Sequence, residues 1–187
     1  MANKDSAFGL RAIGKVGQNK DNQGLSEYGI AASSAAIYQN DPIMMAATGK
    51  IIVGTAAAVL LGSLNGVFYT DASNQKPTWA NHLAASNTAT DIVGFVSDDP
   101  YERFEVQADG ALAVADIGLN ADIAYAAGAT PNFVSKVELD YSDLKSATAQ
   151  LRVIGISKDV ENNTAGSTDV NCVVIINEHF LKGTVGI

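Results

Sequence analysis

The chain has 187 residues, 12 basic against 20 acidic side chains for a formal net charge of -8, and is 47% hydrophobic but only 7% aromatic. The acidic balance repels phosphate backbones and excludes nucleic acid as an expected partner; scarce aromatic rings point to thin layers packed through small side chains. A single cysteine, Cys172, excludes an intramolecular disulfide and a cysteine-based zinc site, and suits assembly in a reducing compartment.

Residues 1–24 hold Gly9, Gly14, Gly17 and Gly24 among Asn, Gln and Lys, with Phe8, Leu10, Ile13 and Val16 as sparse apolar anchors. Such a segment cannot make a core alone. It reads as an extended, mildly basic N-terminal arm that orders on assembly, on a β-rich body spanning 25–187 that folds without it. No stretch of signal-peptide type leads the chain, and its longest apolar region, 51–64, is broken by Gly54 and Gly62 and too short for a bilayer, so no membrane is expected.

Three hairpin signals organise the body. Asp41-Pro42 opens a strand, and residues 43–53 turn at Thr48-Gly49. The run Ala56-Ala57-Ala58 is taken as strand. A second hairpin folds 59–70 about Asn65-Gly66, and Trp79 to Leu83 makes a short element after a polar connector. The continuous apolar run Ile92-Val93-Gly94-Phe95-Val96 has the signature of a strand buried on both faces. The clearest hairpin joins 104–108 to 111–114 through Asp109-Gly110, because Asp-Gly and Asn-Gly tolerate the positive φ of a tight turn between twisted strands.

Beyond it, 117–122 turns into Ile123-Ala124-Tyr125. Val137, Leu139 and Tyr141 alternate with Lys136, Glu138 and Asp140 as a half-buried strand. Residues 143–149 read as one or two helical turns. Two apolar runs, 151–156 and 170–176, flank a long polar loop at 157–169, a candidate contact loop, and Cys172 sits in the second run as a buried thiol. The expected fold is all-β, a small antiparallel β-barrel or β-sandwich with an extended N-terminal arm.

Catalytic parts are scarce. Only His82 and His179 are available as bases near neutral pH, and neither lies in a nucleophile, zinc or phosphate-loop motif. Asn177-Glu178-His179 reads as a strand cap rather than a metal site. Asp91, Asp98, Asp99, Glu102, Glu105, Asp109, Asp116 and Asp122 form a dense acidic stretch opposed by Arg103, with no calcium-loop spacing, and read as a solvated face. Tyr69 and Trp79 could stack a sugar, although one tryptophan in a chain this size more often belongs to the core.

Several segments in order resemble a family of tailed-phage head proteins, the small capsid decoration or cement proteins. They are Ile37-Tyr38-Gln39-Asn40-Asp41-Pro42-Ile43, Gly66-Val67-Phe68-Tyr69-Thr70-Asp71, Gly94-Phe95-Val96-Ser97-Asp98-Asp99-Pro100, Phe104-Glu105-Val106-Gln107, Asp116-Ile117-Gly118-Leu119-Asn120-Ala121-Asp122, Leu151-Arg152-Val153-Ile154-Gly155 and the closing Ile176-Asn177-Glu178-His179. The stretch between Gly62 and Gly66 and the tail after His179 depart from that pattern. The resemblance implies a non-enzymatic, cofactor-free virion protein, assembled in the host cytoplasm and bound to the outer surface of the capsid. Its implied partners are the major capsid protein and further copies of itself, as trimer or dimer. The arm residues Phe8, Leu10, Arg11, Ile13, Lys15 and Val16 are the expected capsid contacts. The alternative is a carbohydrate- or receptor-binding module on a virion surface, built from Tyr69, Trp79 and the 157–169 loop.

Overall fold

A computed structural model of the protein describes residues 3–17, 24–163 and 167–183. The fold is all-β and mostly antiparallel, as expected, with short 3-10 turns as its only helical structure among the described residues. In chain order the strands are β1 (Arg11–Lys15), β2 (Ser26–Gly29), β3 (Pro42–Met45), β4 (Ile51–Val53), β5 (Gly62–Thr70), β6 (Pro77–Ala80) and β7 (Val93–Ser97). There follow β8 (Glu102–Gln107), β9 (Asn120–Ala121), β10 (Ile123–Ala124), β11 (Glu138–Leu139), β12 (Leu151–Ile156) and β13 (Asn171–Ile176). One sheet runs β1-β8-β13-β12-β9, a second runs β2-β7-β5-β3-β4 with β6 also on β5, and β10 and β11 pair as a small two-stranded sheet.

Each sheet covers its own core. Phe104, Val106, Leu151, Val153, Cys172, Val174 and Ile176 fill the first by strict alternation along β8, β12 and β13. Ile30, Ile37, Ile43, Ile51, Leu64, Val67 and Val96 fill the second. Residues 30–96 fill the second core except for Leu60, which is fully buried in the first beside a neighbour, Leu61, fully buried in the second.

Of the three hairpins, the one at Thr48-Gly49 forms: β3 pairs β4 from Ile43↔Val53 to Met45↔Ile51, closed by Ala46 and Lys50 with Gly49 at φ +72°. The Asn65-Gly66 pair does not turn. It lies inside β5 as a bulge, with register shifting between Leu64 and Gly66 against β7, because flanking strands hold β5 straight through it. The Asp109-Gly110 pair ends β8 without a returning strand. Both edges of β8 are already taken, by β1 and by β13, so residues 111–114 find no edge to pair. Leu112 instead plugs the first core, and Gly110 lies so close to Tyr141 that a Cβ there would sit 2.5 Å from the ring.

Smaller differences follow the same logic. Ala57 takes a left-handed φ of +60° in a turn rather than a strand. On β7, Val93 and Phe95 are half-buried while Gly94 and Val96 are buried, so one face meets solvent. The expected helical turn falls earlier, at Tyr141–Asp143, where the Asp140 carboxylate accepts the Ser142 amide.

The leading segment is extended, but it belongs to the body, contrary to the expectation of an arm that orders only on assembly. β1 pairs β8 from Arg11↔Glu105 to Lys15↔Glu102, and Leu10 is fully buried in the first core. Leu10 N–H donates to the Asn40 carbonyl at 2.9 Å, Ser63 Oγ donates to the Leu10 carbonyl at 2.6 Å, and Asn40 Nδ2 donates to the Phe8 carbonyl at 3.0 Å. Gly9, at φ +73°, has no room for a side chain: a Cβ would stand 2.4 Å from the Asn40 oxygen. Residues 18–23 of the predicted arm lie outside the described residues.

Truncating Leu10 to Ala is expected to cost about 2–5 kcal/mol, the usual range for emptying a buried leucine site. Ile13→Ala, at 40% exposure, is expected to cost under about 1 kcal/mol. Urea unfolding of the two variants measures this, and equal midpoints would show that the leading segment contributes nothing to the core.

Candidate functional site

The outer face of the five-stranded sheet is the most distinctive surface. Leu10 and Ala12, Phe104 and Val106, and Leu151 and Val153 pack on the core side, so alternation turns Arg11, Arg103 and Arg152 outward. These are all the arginines of the chain. Across the strands, Arg11 lies opposite Glu105, which lies opposite Val173; in the neighbouring row Gly14, Arg103, Ile175 and Arg152 follow one another. Two bulges, between Ala12 and Gly14 and between Val153 and Gly155, each insert an isoleucine, Ile13 and Ile154. Both line one shallow groove of about 310 Å³ with Arg103, Glu105, Val173 and Lys158. A bulge re-aims a side chain, and here both bulges bring aliphatic surface to the same place.

The arginines differ in what holds them. Arg11 pairs with the mostly buried carboxylate of Glu105 and lies 4.7 Å over the Phe8 ring. Arg152 Nε donates to Asn120 Oδ1 at 2.9 Å. Arg103 Nε is buried without a hydrogen-bond partner, and its guanidinium forms no ion pair among the described residues.

Of the expected contact residues, Leu10 is therefore inaccessible, Phe8 is half-buried, Arg11 and Lys15 are engaged with Glu105 and Asp99, and Ile13 and Val16 remain exposed.

A second apolar face lies on the six-stranded sheet. Trp79 is 57% exposed rather than in the core. Its ring centroid is 4.5 Å from that of Phe95, Phe68 stands opposite it in register, and its benzo edge lies over Gly66, where a Cβ would be 3.3 Å away. Tyr69 points to the other side, against the core, and the 157–169 loop belongs to the other sheet, so the three parts of the saccharide alternative do not come together. That loop is fastened by Asn162 to Ser157 and Asn171, and by Asn3 to Asn163 and Thr168; residues 164–166 lie outside the described residues.

The acidic stretch disperses instead of forming one solvated face. Asp98 accepts from Ser26 and Tyr28, Asp99 pairs with Lys15 at 2.8 Å, Glu102 accepts the Gly14 amide, Asp109 the Tyr141 amide and Asp122 the Gln150 amide. A different set gathers: the carboxylates of Asp5, Glu138 and Asp169 lie within 4.8 Å of one another. Burial raises the Glu138 pKa, and the charges of Asp5, Asp109 and Asp169 raise it further.

The histidines are apart in role. His82 stacks on Phe133 at 3.9 Å, and burial lowers its pKa. His179 is buried at the seam between the sheets, where Nδ1 accepts the Leu181 amide at 3.1 Å. Burial pushes its pKa down to about 4, with Lys182 adding and Asp98 and Asp99 opposing. Asn177 and Glu178 beside it cap the strand through the Ala149 carbonyl and the Leu60 amide.

No family model matches this chain, and comparison with curated proteins and with solved structures finds no significant match.

Asp41, fully buried, accepts the Tyr38 amide at 2.8 Å, and burial pushes its carboxyl up to about 6 against the opposing pull of Ser135 and that amide. A carboxyl raised above its usual 3.8 contributes stability below about pH 4 that is lost as pH rises through 6. Asp41→Asn keeps the acceptor and removes the charge. Between pH 4 and pH 8 the variant is expected to gain about 1–3 kcal/mol relative to the parent. Urea unfolding across that range tests it, and a pH-independent difference would contradict it.

Proposed function

We propose that this is a structural decoration protein that binds the outer surface of a tailed-phage head and cements contacts between major capsid protein subunits, in the company of further copies of itself. The family resemblance supplies the class. The observation that carries the reading is that two sheets in one chain each carry apolar side chains on the outer face, exposed Ile13 with half-buried Ile154, Val173 and Ile175 on one, exposed Trp79 and Phe68 with half-buried Phe95 on the other. Exposed apolar patches of this kind are uncommon on free monomers and mark interaction surfaces. A cement protein needs two contact faces on one body, and repetition by shell symmetry turns modest single contacts into tight retention. It needs no reacting group, and its mechanism is mechanical: it bridges neighbours and resists their separation.

Purified protein mixed with tailed-phage heads assembled without it is expected to co-sediment in a fixed ratio to the shell subunit. Protein left in the supernatant at every concentration would refute the reading.

One observation favours a saccharide platform as a second reading: the indole of Trp79 lies over Gly66 with much of its surface in solvent, the arrangement in which a ring stacks a sugar. On a glycan array this reading expects binding that Trp79→Ala abolishes. Decoration alone expects a blank array with both proteins.

A further inference from the structure

We propose that the outer face of the five-stranded sheet receives a carboxylate-bearing protein surface, whose acidic side chains pair with Arg103 and Arg152 on either side of Ile175, while its apolar side chains seat on Ile13, Ile154, Val173 and Ile175 around them. The proposal rests on the adhesive role above and names the chemistry of the partner.

Three observations carry it. The chain is strongly acidic overall, yet every arginine it has is turned out from one face of one sheet, giving a local reversal of charge sign. Complementary potential is what selects a partner and fixes its register. Arginine predominates here, since of the nine lysines of the chain Lys158 alone lines the groove. The guanidinium is planar, weakly hydrated and suited to bidentate pairing with a carboxylate in a partly desolvated interface.

Arg103 is also left incomplete. Its Nε is buried without an acceptor, and the nearby carboxylate of Glu105 is committed to Arg11. Arg103 also lines the groove, where a carboxylate can pair with its guanidinium, which has no ion pair among the described residues. Meanwhile Arg152 is steadied by Asn120, so it is oriented before the partner arrives.

The aliphatic centre separates this surface from a phosphate-binding one. Ile175 lies between Arg103 and Arg152, with Val173 beside it on the same strand and the two bulged isoleucines on the flanking strands, where a nucleic acid backbone would leave them facing charged phosphates. An interface core depleted of charge and ringed by arginines fits a protein partner.

The test uses two probes on the full-length protein: heads assembled without it, and a synthetic acidic peptide of alternating Glu and Leu pairs. The peptide is expected to shift the methyl resonances of Ile13, Ile154, Val173 and Ile175, and duplex DNA is expected to leave them unmoved. Arg103→Glu and Arg152→Glu are each expected to lower head occupancy about tenfold at sub-saturating protein, as for a central arginine anchor. Arg103→Lys is expected to fall between. Unchanged unfolding midpoints show that the variants are folded, with the exposed Arg152 as the safer substitution.

If the parent binds heads and both reversals bind equally well, the proposal is overturned. If the parent does not bind heads, the decoration reading fails alone, and the peptide decides this one: shifts at the four methyl groups uphold it, and no shift, or shifts with DNA instead, overturns it.

Discussion

Phe8, Gly9 and Leu10 run through the seam between the two sheets, and the hydrogen bonds they exchange there tie one sheet to the other. The Asn40 and Ser63 bonds come from the six-stranded side, while Leu10 itself is part of the first core. Gly9 is required by the closeness of that passage, since both its positive φ and the approach of Asn40 and Ser135 forbid a side chain. Other ties repeat the theme with buried polar groups. Gln150, fully buried, donates to the Thr55 and Ala58 carbonyls at 2.8 and 2.7 Å and accepts from Ile123. Leu60 exchanges backbone bonds with Glu178 and Phe180. Such satisfied internal bonds add modestly to stability, but removing one partner strands the other in a dry site, so they specify geometry more than they add energy.

Because the leading segment serves as the edge strand of the first sheet, Arg11 and Ile13 join Arg103 and Arg152 on its outer face only when that strand is docked. Arg11 and Ile13 are brought beside Glu105 and Val173 by the β1–β8 register, and the bulge at Ile13 turns its side chain toward the groove. The same bulge and the flanking charges of Arg11 and Lys15 make β1 a poor template for edge-to-edge pairing. Under the proposed decoration role, contact is thereby directed to the face of the sheet and away from its edge.

The titratable groups belong mainly to the scaffold. Asp41 and Glu102 are both pushed up to about 6 by burial, and His179 is pushed down to about 4 by burial. The two carboxyls favour the folded state at low pH and the histidine favours it at higher pH, so their effects oppose one another across the acid range. Each accepts a backbone amide, Asp41 from Tyr38, Glu102 from Gly14 and His179 from Leu181.

Local pattern decided a good deal here. The apolar runs 151–156 and 170–176 formed strands, and Thr48-Gly49 turned as its chemistry requires, since both depend only on near neighbours; which face of Cys172 to Ile176 lies inside was set by packing, because every residue there is apolar. The all-β class follows from the same local signals. Whether Asp109-Gly110 would turn depended on which strands occupied the edges of β8, and whether Asn65-Gly66 would turn depended on the strands beside β5; neither is a property of the dipeptide. Likewise the gathering of Arg11, Arg103 and Arg152, far apart in the chain, and the exposure of Trp79 above Gly66 arise from strand order and register, set by long-range pairing that no local window contains.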